Sequence, residues 1–185
     1  MRDSSSGRVT GNRLYDSCSG LVFLNTGIGG TGVQDWVATD NTITENNNSC
    51  PGTTTGLPFN LSGLGILIAG GRHIVLRDNV VRRNQPLEKP TKLHDVPVAG
   101  GIVVVSTADV EVFTGFHGSK AVGHTIVDNT VTNNKPFYLV YDSLGTGNRF
   151  RHNECNTSNL PGLCNADMAT ERAPGTVGTV MGPQL

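Results

Sequence analysis

The chain has 185 residues, a net charge of −1, 36% hydrophobic and 5% aromatic residues, and 24 glycines. That length suits one domain with a sizeable core. The balanced charge gives no basic face for nucleic acid, and no stretch approaches the ~18 apolar residues of a membrane span. Long Leu/Ala/Glu/Lys runs are missing, whereas Gly, Asn, Thr and Val abound, a profile of short strands between tight turns.

Taken in chain order, the N-terminal "MRDSSSGRVTGN" lacks the apolar stretch of a signal peptide, so a signal is read as absent from this chain. "GNRLYDS", anchored on Asn12, then precedes an apolar phrase, "GLVFLNT" from Gly20. The pair returns as "DNTITEN" at Asn41 with "GILIAGG" from Gly65, and as "DNVVRRN" at Asn79 with "GIVVVST" from Gly101. It returns again as "DNTVTNN" at Asn129 with "YLVYDSL" from Tyr138, and "GNRFRHN" at Asn148 is a fifth Asn phrase. Two residues after each anchor stands Leu14, Ile43, Val81, Val131 or Phe150; five after it stands Ser17, Asn46, Asn84, Asn134 or Asn153. The apolar phrases read as β-strands bounded by turn formers.

Strand-and-turn repeats with a period near 20 residues and no helical pattern between them are the signature of a solenoid. Stacked coils bring equivalent residues to about 4.8 Å, where identical Asn side chains can bond up and down the stack. The predicted ladder is Asn12, Asn41, Asn79, Asn129 and Asn148, with Asn129 to Asn148 as the bare unit and the longer intervals carrying loops. A residue that recurs once per coil builds scaffold, since chemistry needs it once per site. Asp40, Asp78 and Asp128, each just before an anchor, read as turn residues.

These repeats resemble those of right-handed parallel β-helix proteins, the pectate-lyase-like superfamily, and most closely secreted β-helix repeat proteins of actinobacteria. The resemblance runs over residues 7–164. It implies an all-β, right-handed parallel β-helix of about five coils with Asn ladders and long loop insertions. Residues 1–164 would form that domain, and residues 165–185 a tail, extended or packed on the domain or on a partner subunit. It implies little about activity.

Insertions fall at 26–35, 47–62, 85–99 and 107–123; in that superfamily such loops wall the substrate groove. Cys18 and Cys50 lie at nearly equivalent places one coil apart, and Cys155 and Cys164 flank a small loop. Two structural disulfides, contributing about 3–4 and about 2–3 kcal/mol by chain entropy, suit an oxidising, extracellular compartment. No cysteine or histidine spacing suggests zinc. Alternation puts Val22, Leu67, Val103 and Val140 outward, an apolar stripe that demands a cover. The insertions, the tail or a second subunit could supply it, so a homo-oligomer or a piece of a longer β-helix is expected.

Lyases on this fold need a base and often Ca²⁺ held by several carboxylates, whereas hydrolases need paired carboxylates. The Asn-Thr-Asp, Asp-Asp and Gly-His-Gly set of polygalacturonases is missing, with "GFHGSK" a loose echo, and "LHDVP" does not match the Asp-Pro-His-Asp element of alginate epimerases. No residue role carries over from those families. The candidate catalytic residues are therefore loop residues, His94 with Asp95 and His117 with Lys120, together with Asp142, a carboxylate in a column otherwise held by Leu24, Ala69 and Val105. Trp36, Tyr141 and Arg149 are the candidate substrate contacts. No cofactor is required, Ca²⁺ being only weakly supported. The expected ligand is a carbohydrate on an extracellular protein. The alternatives are a small metabolite handled by a cofactor-independent lyase, isomerase or cyclase, and an assembly module without chemistry.

Overall fold

The computed structural model describes residues 1–28, 30–52, 60–113, 115–164 and 168–169. The rest of the tail, including "APGTVGTVMGPQL", lies outside the described residues, and so does its suggested role as a cover or partner contact. The fold is all-β, and its three main sheets are parallel but for one edge. The first sheet runs Ser5–Thr10, Gln34–Thr39, Val75–Arg77, Thr125–Val127 and Arg149–Arg151, with Met168–Ala169 antiparallel at its edge. The second runs Arg13–Tyr15, Thr42–Thr44, Val80–Arg82 and Thr130–Thr132. The third runs Ser19–Leu24, Leu64–Ala69, Gly100–Val105 and Leu139–Tyr141. The chain visits the three in rotation, and each strand pairs in register with its counterpart in the next pass, as Leu14, Ile43, Val81 and Val131 do.

Left-handed backbone turns the chain between sheets. Gly11, Asp40, Asp78, Asp128 and His152 have φ of 69°, 57°, 56°, 54° and 49° at one corner. Asp16, Glu45, Arg83 and Asn133 do the same at the next, with φ of 61°, 57°, 56° and 55°. Short polar side chains tolerate this region by bonding locally, which is why Asp recurs before the anchor. Gly20, Gly65 and Gly101 open the third-sheet strands for a different reason. A Cβ on any of them would collide with a carbonyl oxygen of the next pass and with the Ile43, Val81 or Val131 side chain.

The interior is a stack of apolar columns: Ala38, Leu76, Ile126 and Phe150 from the first sheet, Ile43, Val81 and Val131 from the second, and Ile66, Ile102 and Leu139 from the third, all fully buried. Two Asn ladders rivet the second-sheet corners. Each Asn gives its backbone N–H and side-chain amide to the Oδ1 of the next, as Asn41 does to Asn79 at 3.1 and 2.9 Å. A second ladder joins Asn46, Asn84 and Asn134 in the same way.

The fifth rung corrects the sequence reading. Asn129 donates to Asn153 at 3.1 and 3.0 Å, not to Asn148. Arg149–Arg151 belongs to the first sheet, pairing Phe150 with Ile126, so "RHN" at 151–153 stands where "RDN" stands at 77–79. The bare unit is therefore 24 residues, the Asn129–Asn153 separation. Asn148 serves another corner, where its Oδ1 accepts the His124 N–H at 2.9 Å while His124 Nδ1 accepts the Ile74 N–H at 3.1 Å. Packing decides the register, because Phe150 stacks against Tyr141 at 5.5 Å inside the core.

The outward stripe finds one of the three covers named for it. Leu67, Val103 and Val140 are 0–1% exposed and form a second core with Leu61 and Val98, flanked by Leu93, Val96, Val110 and Phe137. The chain's own insertions cover the stripe, which removes the argument for an oligomer built on its exposure. Burying each such side chain is worth about 1.5–3 kcal/mol. Disulfides join Cys18 to Cys50 and Cys155 to Cys164, each tethering a loop to the stack.

Candidate functional site

Insertion 85–99 forms a hairpin, Lys92–Leu93 against Val96–Pro97. Its two turn residues, His94 and Asp95, have φ of 48° and 64°, the left-handed pair that a tight two-residue hairpin requires. Leu93 and Val96 anchor it on the second core, so His94 is carried across the outer face of the third sheet to the ends of its strands.

There His94 meets Asp142. Nδ1 lies 3.2 Å from Oδ2, and the carboxylate has no exposed surface. A bare carboxylate in an apolar column would be very costly, and backbone donors compensate. The Ser106 N–H donates to Oδ2 at 2.6 Å and the Leu144 N–H to Oδ1 at 3.0 Å. On its other side, His94 Nε2 lies 2.8 Å from Oδ1 of Asp109, which is 66% exposed. Asp109 stands in a turn closed by the Val110 N–H on the Thr107 carbonyl at 3.2 Å. The hydrogen bond to His94 is the main influence holding the Asp109 carboxyl below its usual range, helped by its own backbone amide and by the charges of His94 and His117, with burial opposing. A protonated imidazole donates to both carboxylates; a neutral one donates to one and turns a lone pair on the other.

Beside the hairpin opens a cavity of about 480 Å³, with Val96, Pro97, Pro136 and Phe137 as apolar walls and Lys89, Lys92 and Asp95 as its charged groups. The cluster and the cavity share the hairpin: Asp95 lines the cavity while its neighbour His94 faces the carboxylates.

Of the residues singled out from sequence, the structure brings His94 and Asp142 into contact. His117 is exposed, paired with Glu111 across a small antiparallel ladder, and its charge acts on Asp109. Lys120 is exposed at the base of that insertion. The three substrate contacts do not converge. Trp36 packs on the core 6.2 Å from Phe23 and donates its indole N–H to the Ser4 carbonyl at 2.9 Å. Tyr141 is buried, its hydroxyl donating to Gly145 and accepting from Asn148, and burial raises its phenol pKa. Arg149 is exposed on the first sheet, away from the hairpin over the third. Asp109 was not anticipated, because it belongs to no repeat and its partner lies on another insertion.

Among the described residues, no group of three His, Cys, Asp or Glu is placed to hold a metal ion. Among the same residues no helix is long and apolar enough to cross a membrane. Comparison with protein-family models, with curated proteins and with solved structures finds no match.

Proposed function

We propose that this chain is a right-handed parallel β-helix protein of the extracellular space that binds an acidic carbohydrate beside the His94 hairpin and acts on it by proton transfer. The rotation of the chain through three parallel sheets and the two Asn ladders support the fold. The two disulfides are compatible with an oxidising compartment. The observation that carries the activity is the contact between His94 and the wholly buried Asp142 at 3.2 Å. A carboxylate on Nδ1 fixes the ring and its tautomer and leaves Nε2 as base or acid, the division of labour seen wherever an Asp–His pair moves protons. Lys89 and Lys92 line the adjoining cavity and suit an acid group, while Pro97 and Phe137 suit the apolar face of a sugar ring. Nε2 takes the proton on the carbon next to a uronate carboxyl, a C=C bond forms as the bond to the glycosidic oxygen breaks, and that oxygen leaves as a sugar hydroxyl once the imidazolium or water returns a proton to it, leaving an unsaturated sugar.

The test is absorbance near 235 nm on a panel of uronate polysaccharides. A rise that His94→Ala abolishes supports the reading, and no rise on any of them refutes β-elimination. The apolar walls favour one second reading, a lyase or isomerase acting on a small carboxylate with an apolar body. That reading predicts calorimetric binding of aryl or alkyl carboxylates, lost in the double variant Lys89→Ala/Lys92→Ala, with no response to oligouronates.

A further inference from the structure

We infer that Asp109 is a pH-dependent plug: it occupies Nε2 of His94 while the imidazole is protonated, and leaves when the ring becomes neutral, opening the base to a ligand. The inference rests on the assignment of His94 as the acid–base group. Three segments from different parts of the chain meet here: the hairpin turn at His94, the turn at Asp109, and the strand end at Asp142. The groups that face one another are few. Asp142 and Asp109 face the ring, His117 acts on Asp109 through its charge, and Tyr141, the residue before Asp142, feels that carboxylate's charge. Asp95 and Lys92 flank the ring on the hairpin and line the cavity instead.

The two carboxylates are not equivalent. Asp142 has no exposed surface, and its oxygens depend on the Ser106 and Leu144 N–H groups and on the ring. Without the ring's proton, one of those oxygens would lose a donor that water cannot replace. Asp109 is 66% exposed, and water replaces any donor it loses. When the imidazolium gives one proton to solvent, the proton that remains therefore stays on Nδ1 against Asp142. Nε2 is left with a lone pair facing the Asp109 oxygen at 2.8 Å, a contact with no hydrogen between two acceptors. Repulsion moves the partner that water can solvate, which is the exposed aspartate. The same proton loss thus creates the free base and clears its approach, so the site is closed when the base is unfit to work.

The experiment is a pH titration of the ligand-free protein, labelled with ¹⁵N in histidine and ¹³C in aspartate. The expected neutral His94 carries its proton on Nδ1, with a pyridine-like shift at Nε2. The Asp109 carboxyl and the Val110 amide are expected to show a step at the same midpoint as the ring. In Asp109→Asn the Val110 step disappears while the Nδ1 proton persists, and in His94→Gln the Asp109 carboxyl titrates higher than in the parent. A neutral ring protonated on Nε2, or an Asp109 signal that ignores the ring's titration, overturns the plug. The tautomer is read on the parent protein, so the result stands even where a variant fails to fold. A protein inert to every polysaccharide but showing the coupled step would lose the proposed reaction and keep the plug.

Discussion

The imidazole of His94 bridges two carboxylates of opposite environment: Asp142, with no exposed side-chain surface, at 3.2 Å, and Asp109, 66% exposed, at 2.8 Å. Truncating the buried partner strands the Ser106 and Leu144 N–H groups and frees the hairpin. Asp142→Ala is expected to cost about 3–5 kcal/mol. Asp109→Ala, at the solvated end, is expected to cost less than about 1 kcal/mol. Urea denaturation of the two variants checks the asymmetry, and equal losses would contradict it.

Asn79 sits in the middle of its ladder, fully buried, accepting from Asn41 and donating to Asn129 and to the Ala38 carbonyl. Asn12 is the exposed end of the same ladder. Asn79→Ala leaves buried donors and an acceptor unpaired and is expected to cost about 3 kcal/mol or more, against about 1 kcal/mol for Asn12→Ala. Midpoints in guanidinium chloride decide it.

Ser17 stands where the second ladder would have an Asn, and the buried Oδ1 of Asn46 has no partner among the described residues. Ser17→Asn is expected to supply the rung, adding about 1 kcal/mol and raising Tm by about 2–4 °C. Differential scanning calorimetry on the oxidised protein measures it. An unchanged or lower Tm would show that the first pass cannot close onto Asn46.

Val103 is fully buried beneath the insertions, between Leu67 and Val140. Val103→Asp is expected to unfold the protein or lower its stability by more than about 3 kcal/mol, without passing through a change in oligomeric state. Sedimentation and circular dichroism together separate the two. A folded variant with altered association would return the stripe to the role of an interface.

His124 is buried, its pKa lowered to about 4 chiefly by burial, with the charge of His73 adding to that and the Gly70 carbonyl opposing it. An unfolded histidine titrates near 6.5. Between those values the unfolded chain holds the extra proton, so stability rises with pH and falls on acidification from about 6.5 towards 4. The loss reaches about 3 kcal/mol below pH 4. His124→Asn keeps an acceptor for the Ile74 N–H and is expected to flatten that slope in urea melts at pH 4.5 and pH 7.

Much of this architecture is local and therefore legible in the chain. An Asp or Gly in left-handed backbone, an Asn next to it and an inward aliphatic two residues later all act within one corner, so their recurrence announces stacked, repeating passes of the chain. The phrase "GNRFRHN" shows where locality ends. Asn148, after Gly147 and before Phe150, fits the corner pattern better than Asn153, which follows His152, yet the packing of Phe150 on Ile126 and Tyr141 selects Asn153 for the ladder.

The candidate site divides in the same way. Asp142 was visible as a carboxylate breaking an apolar column, and His94 as a histidine in an insertion. Their meeting, the arrival of Asp109 and the cover over Val103 depend on where non-repeating loops come to rest. No period in the sequence records that. By itself, then, the sequence determined the repeating corners and the strand faces, because each is set by neighbours in the chain or by its counterpart in the next pass. The tertiary structure alone decided which loops close over the third sheet and which carboxylates His94 finds there, because those contacts are chosen by burial across distant segments.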